Sequence, residues 1–95
     1  MVKVMLRDIQ LVESLKDYIK VATAQGTFIV HQTLAGITEQ LPNEYFMRIH
    51  RSYTIGLNHL EMLEGNFVVI AGRELPIGRN YQAEVKEAIL GLGDF

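Results

Sequence analysis

Cysteine is absent from all 95 residues, which excludes disulfides and thiolate zinc sites and fits a reducing compartment such as the cytoplasm. Long apolar runs are missing as well. Nothing approaches the roughly 20 consecutive apolar residues of a membrane-spanning helix, and the first stretch alternates charged and apolar positions rather than forming a leader. There is no repeat, low-complexity tract or internal linker, so residues 1–95 read as one domain with a modest core. Net basic charge is lacking: nine Lys and Arg stand against eleven Asp and Glu, which argues against a non-specific coat on nucleic acid. No Walker motif, Ser-His-Asp order or Gly-rich phosphate fingerprint occurs. His31, His50 and His59 have no ligand-like spacing, so neither a metal nor another cofactor is expected, and an enzyme is disfavoured.

What is present is a concentration of bases. Between Tyr45 and Leu60 lie Arg48, His50, Arg51 and His59, and not one Asp or Glu. Gathered cations attract phosphate whatever the net charge, and the interleaved Ser52, Tyr53, Thr54 and Asn58 can add hydrogen bonds to phosphates or base edges. A second segment, Pro76-Ile77-Gly78-Arg79-Asn80-Tyr81, presents Arg79 after a glycine and ahead of a helix, a position where anions are favoured.

The remainder reads as short strands. Val4–Leu6 and Ile9–Glu13 are extended around Arg7-Asp8. Tyr18–Thr23 and Thr27–His31 form a hairpin about Ala24-Gln25-Gly26, and Leu60–Glu64 and Phe67–Ile70 a second about Gly65-Asn66. Ala71-Gly72-Arg73 turns into a strand at Glu74–Ile77. Leu34–Leu41 is a short amphipathic helix with Thr33 as N-cap and Pro42 beyond its end; Gly36 inside it costs about 1 kcal/mol relative to Ala. Tyr81–Leu90 is a closing helix with Tyr81, Val85, Ala88 and Ile89 on one face. The fold class is therefore mainly β with short helices, and no helix-turn-helix is present. Strand parity constrains the basic segment: if Ile49 is core, Arg51 is exposed only where its strand ends, at a loop tip able to reach a groove. The bland alternatives are a solvated Arg, a structural His50, and Tyr53 and Tyr81 as packing at the core edge. Asn58 fits a left-handed turn.

In these residues the chain resembles the LytTR family, the LytR/AlgR-type DNA-binding domain of bacterial response regulators. The resemblance rests on Ile9-Gln10-Leu11-Val12-Glu13-Ser14, Asp17-Tyr18-Ile19, Phe46-Met47-Arg48-Ile49-His50-Arg51-Ser52-Tyr53-Thr54-Ile55 and Leu75-Pro76-Ile77-Gly78-Arg79, in order, from about Val4 to Leu90. It implies an elongated β-β-β fold of small antiparallel sheets whose loops enter successive major grooves and bend the duplex. It implies base contacts from Arg51, Arg79 and the loop carrying Lys16 and Asp17. Phosphate contacts would fall to Arg48, His50, Ser52, Tyr53 and Asn80. The partners implied are double-stranded promoter DNA with paired direct repeats, and a receiver domain elsewhere in the full-length chain. The chain reads as either an excised C-terminal output domain or a stand-alone version, its start at a strand favouring excision, and is expected to be a monomer or weak dimer by itself. It departs from the family pattern at Gly56, usually Asn, and at Asn80, usually Ser or a basic residue. A protein-interaction β-module and a small anion- or nucleotide-sensing domain are the alternatives from other classes.

Overall fold

The computed structural model describes residues 3–92. Strands β1 (Ile9–Ser14), β2 (Ile19–Thr23) and β3 (Gly26–Val30) form an antiparallel meander. Helix α1 (Leu34–Gln40) crosses to a second hairpin, β4 (Phe46–His50) and β5 (Tyr53–Gly56), and β5 pairs back onto β1. The result is a five-stranded sheet of order β3-β2-β1-β5-β4. Strands β6 (Leu60–Glu64), β7 (Phe67–Ile70) and β8 (Arg73–Pro76) make a separate three-stranded sheet, and α2 (Gln82–Leu92) closes the chain. The molecule is elongated, about 40 Å by 25 Å by 23 Å. No described helix is long and apolar enough to cross a membrane.

Turn chemistry places most of these boundaries. The Ala24-Gln25 turn and the Gly65-Asn66 turn join the two hairpins expected from sequence, with Gly65 at a φ of 56°. Thr33 caps α1, its Oγ1 accepting from the Gly36 N–H at 3.0 Å. Gly36 is favoured there because a Cβ would stand 2.9 Å from that capping oxygen. Val4–Leu6, expected as a strand, is not one: Leu6–Asp8 form a single 3-10 turn, in which the Asp8 N–H donates to the Met5 carbonyl at 3.0 Å and the Arg7 carbonyl is taken by His59 Nε2. Asn58 sits in the 3-10 turn Leu57–His59 rather than in a left-handed conformation, which among the described non-glycine residues only Ala71 adopts.

Register shifts in β1, β4 and β6 decide which side chains face which core. In β1 the register slips between Ile9 and Leu11, so Ile9 and Val12 point to one face while Leu11 points to the other. Ile9, Val12, Ile19, Val21 and Phe46 pack beneath Leu34 of α1. On the opposite face Leu11, Ile49 and Ile55 meet Val68, Ile70 and Leu75 of the small sheet and Val85 of α2. The sheet is thus covered on both sides around β1 and β5, while the edge strand β3 stays largely exposed. One polar contact crosses the first interface: the buried Thr54 hydroxyl lies 2.8 Å from Thr38 Oγ1, which itself donates to the Leu34 carbonyl at 2.6 Å.

Candidate nucleic-acid interface

Pairing brings three turns, distant in sequence, to one end of the molecule. Glu13 stands opposite Tyr53, and the Ser14 N–H donates to the Ser52 carbonyl at 2.8 Å. The β1–β2 turn, carrying Lys16 and Asp17, therefore lies beside the Arg51-Ser52 turn of the β4–β5 hairpin. With strands about 4.8 Å apart, the two turn centres are separated by two spacings, roughly 10 Å. The third turn is docked by the bulge in β4, where the register slips between Arg48 and His50. An extra residue in a bulge drops out of the ladder. The freed Ile49 carbonyl accepts instead from the Gly78 N–H at 2.8 Å, which sets Arg79 and Asn80 next to Arg51. His50, Arg51, Gly78, Arg79, Asn80 and Tyr81 line a shallow cleft of about 220 Å³ between the second and third turns.

The Arg51-Ser52 turn is rigid for reasons visible in its bonds. Arg48 donates through Nε to the His50 carbonyl at 3.0 Å and through Nη2 to the Arg51 carbonyl at 2.7 Å. The Ser52 N–H donates to His50 Nδ1 at 3.0 Å, so in this arrangement a neutral imidazole carries its proton on Nε2, at the surface. The His50 ring also packs at 5.3 Å against Tyr53, tilted by 42°. Arg48 and His50 thus hold the turn from inside. The Ser52 amide and carbonyl are both occupied, which leaves its hydroxyl for an external partner. Lys16, Asp17, Arg51, Arg79 and Asn80 are exposed, and among the described residues none of their side chains is bonded to another part of the chain.

The charge of this end is cationic. Lys16, Arg48, Arg51 and Arg79 converge there, and Asp17 is the one acid on the three turns. The nearest carboxylate on the adjoining strands, Glu13, is offset by Arg73 at 3.5 Å. The structure thus gathers all nine residues expected from sequence at one end, with Arg48 directed inward. It also adds two that sequence reasoning passed over: Tyr18 and His31 flank the first turn with ring centroids 5.0 Å apart. The hairpin register, Ile19 opposite Val30, was the signal that could have found them.

A mostly β domain that displays a row of cationic, hydrogen-bonding turns has the architecture of a loop-reading nucleic-acid-binding module. The comparisons agree. The chain matches the LytTr DNA-binding domain family over residues 1–90 and belongs to that family. It is 30% identical over 94 residues to the sensory transduction protein LytT of Bacillus anthracis, covering 93% of this chain and 38% of that protein. The sensory transduction protein LytR of Streptococcus agalactiae is 29% identical over 73 residues, covering 70% of this chain and 30% of its own length. A solved structure described as the LytTr DNA-binding domain of a methyl-accepting/DNA response regulator from Bacillus cereus superposes with a TM-score of 0.86. It shares 18% identity and covers 93% of this chain and 86% of that one. The family is one of DNA-binding domains rather than of enzymes, and the chain spans well under half the length of the curated relatives it matches.

Proposed function

We propose that this domain is the DNA-reading half of a cytoplasmic two-component transcription regulator, joined in the full-length protein to a receiver domain. Arg51 and Arg79 read base edges, each able to pair bidentately with guanine O6 and N7 in the major groove. Lys16 and Asp17 contribute from the first turn, Lys16 to guanine or phosphate and Asp17 as an acceptor for a cytosine amino group. Ser52, Tyr53, Asn80 and His50 anchor phosphates. Arg48 keeps three N–H groups beyond its two bonds to the turn, and these serve phosphate from behind it. The observation that carries this reading is the Gly78-to-Ile49 hydrogen bond, because it places two exposed arginines from separate segments on one face. The target is a promoter with paired direct repeats, and the isolated domain is a monomer or weak dimer.

Selection from randomised duplexes, followed by a salt titration of the enriched sequence, tests the proposal. Enrichment of a short direct-repeat motif, with affinity falling steeply as salt rises, is the expected outcome. Flat enrichment and salt-independent binding of a protein partner would support an interaction module instead. Mononucleotide binding that duplex DNA does not compete would support nucleotide sensing.

A further inference from the structure

The end of the five-stranded sheet opposite the cationic turns carries a second concavity, of about 360 Å³. Its floor is made by Ile9 and Phe46, both core residues, and by the backbone of Gly56. Gly56 is where the chain departs from the family pattern, and no side chain fits there, since a Cβ would overlap the Ile9 carbonyl oxygen. Leu6 and Tyr45 form the rim with about half of their surface exposed (48% and 51%).

The walls come from three segments bonded to one another, so the cavity is preformed rather than a gap between loose ends. The Leu57 N–H donates to the Tyr45 carbonyl at 2.8 Å. His59 Nε2 lies 2.6 Å from the Arg7 carbonyl, which fixes the 3-10 turn Leu6–Asp8 against the turn after β5. That bond uses the Arg7 backbone and leaves its guanidinium free; among the described residues it makes no ion pair. Of the nine residues lining the cavity, Arg7 alone carries a permanent charge and none is a carboxylate.

We infer that this is a ligand site for a small carboxylic acid with a single aromatic ring or a short alkyl chain. The apolar body would lie on Ile9, Phe46 and Tyr45, and the carboxylate would pair with Arg7 at the mouth. Preformed apolar cavities in this size range with a few polar groups at one end are typical of small-molecule sites. An Arg guanidinium matches a carboxylate with two parallel hydrogen bonds. Phe46 and Gly56 are paired at this end of the β4–β5 ribbon and His50 and Tyr53 at the other. The cavity is thus about 14 Å, four strand residues, from the Arg51-Ser52 turn.

The inference does not rest on DNA binding, and its test contains no DNA. Hydrocinnamate and octanoate, each beside its neutral amide, are titrated into the chain while backbone amide shifts are followed by NMR. Saturable shifts confined to residues 6–9, 45–46 and 56–59 are expected, with the acids binding at least about fivefold more tightly than the amides. Arg7→Gln removes that preference without touching the His59 bond, and Leu6→Glu, at an exposed rim position, weakens both acids further. The inference is overturned if neither acid saturates up to about 10 mM. It is also overturned if the shifts fall elsewhere, or if Arg7→Gln leaves the acid–amide ratio unchanged in a protein whose spectrum is otherwise intact.

Discussion

The Gly78 N–H and the Ile49 carbonyl, 2.8 Å apart, join the third turn to a bulge in the second. A Cβ on Gly78 would lie 3.0 Å from the Tyr81 ring and 3.5 Å from the His50 Cα, so the close approach depends on glycine. Gly78→Val should therefore cost about 1–3 kcal/mol of stability through overpacking, read by urea unfolding. It should also weaken DNA binding with both arginines still in place. Unchanged stability would show that the Tyr81 ring simply moves aside.

Arg51→Ala and Arg79→Ala should each relax specificity at one base pair, at a cost of about 1–3 kcal/mol for the preferred sequence. Ser52→Ala should weaken all sequences alike. Competition binding against a panel of single-base variants separates the two patterns. If both arginine variants bound every duplex as well as the parent, the base-reading assignment would fail.

Arg48 offers a sharper contrast, because its guanidinium bonds two turn carbonyls and is half-buried. Arg48→Ala should lower stability by about 1 kcal/mol after allowance for solvent screening, and should speed hydrogen exchange at Ser52 and Tyr53. A residue that served only as a phosphate contact would leave the exchange of the free domain unaltered.

The hydroxyl of the buried Thr54 is paired with that of the half-buried Thr38. Thr38→Ala leaves the Thr54 hydroxyl without its partner and should cost about 1–3 kcal/mol. Adding Thr54→Val removes the stranded group and should recover much of that loss. Chemical denaturation of the parent, both single variants and the double variant gives the comparison, and strict additivity would contradict the pairing.

Ala71 holds a φ of 50° ahead of Gly72 at 77°, the signature of a tight hairpin turn that disfavours a Cβ. Ala71→Gly should stabilise the domain by about 1 kcal/mol, which raises the melting temperature by about 4–8 °C for a domain of this size. A lower melting temperature would mean that backbone entropy outweighs the relieved strain.

Much of the fold was legible wherever local chemistry decides it. The Gly65-Asn66 turn, the Thr33 cap and the Ala24–Gly26 turn announce their elements within a few residues, and strand parity alone placed Arg51 at a tip. The bulges at Gln10 and Ile49 were not legible, because they follow from how β1 and β4 fit two cores at once. Val4–Leu6 has a strand-like pattern, but the adjoining Arg7 carbonyl is taken by His59, 52 residues on, and pattern does not report such a contact. The site was legible as a list of residues rather than as a surface. Its assembly depends on β1 pairing with β5 some 40 residues later and on a carbonyl released by a bulge. Arg48 shows the limit most plainly: its charge was visible in the sequence, and its inward commitment was not.

Because the candidate reading groups stand on short turns whose flanking strands are pinned by two separate cores, what they recognise is nearly independent of what keeps the domain folded. Under the proposed function, exchanging one or two side chains at Lys16-Asp17, Arg51 or Arg79 would alter the text that is read and leave the binding of the book intact. A lineage built on this scaffold would then acquire new target sequences in single steps, each already folded.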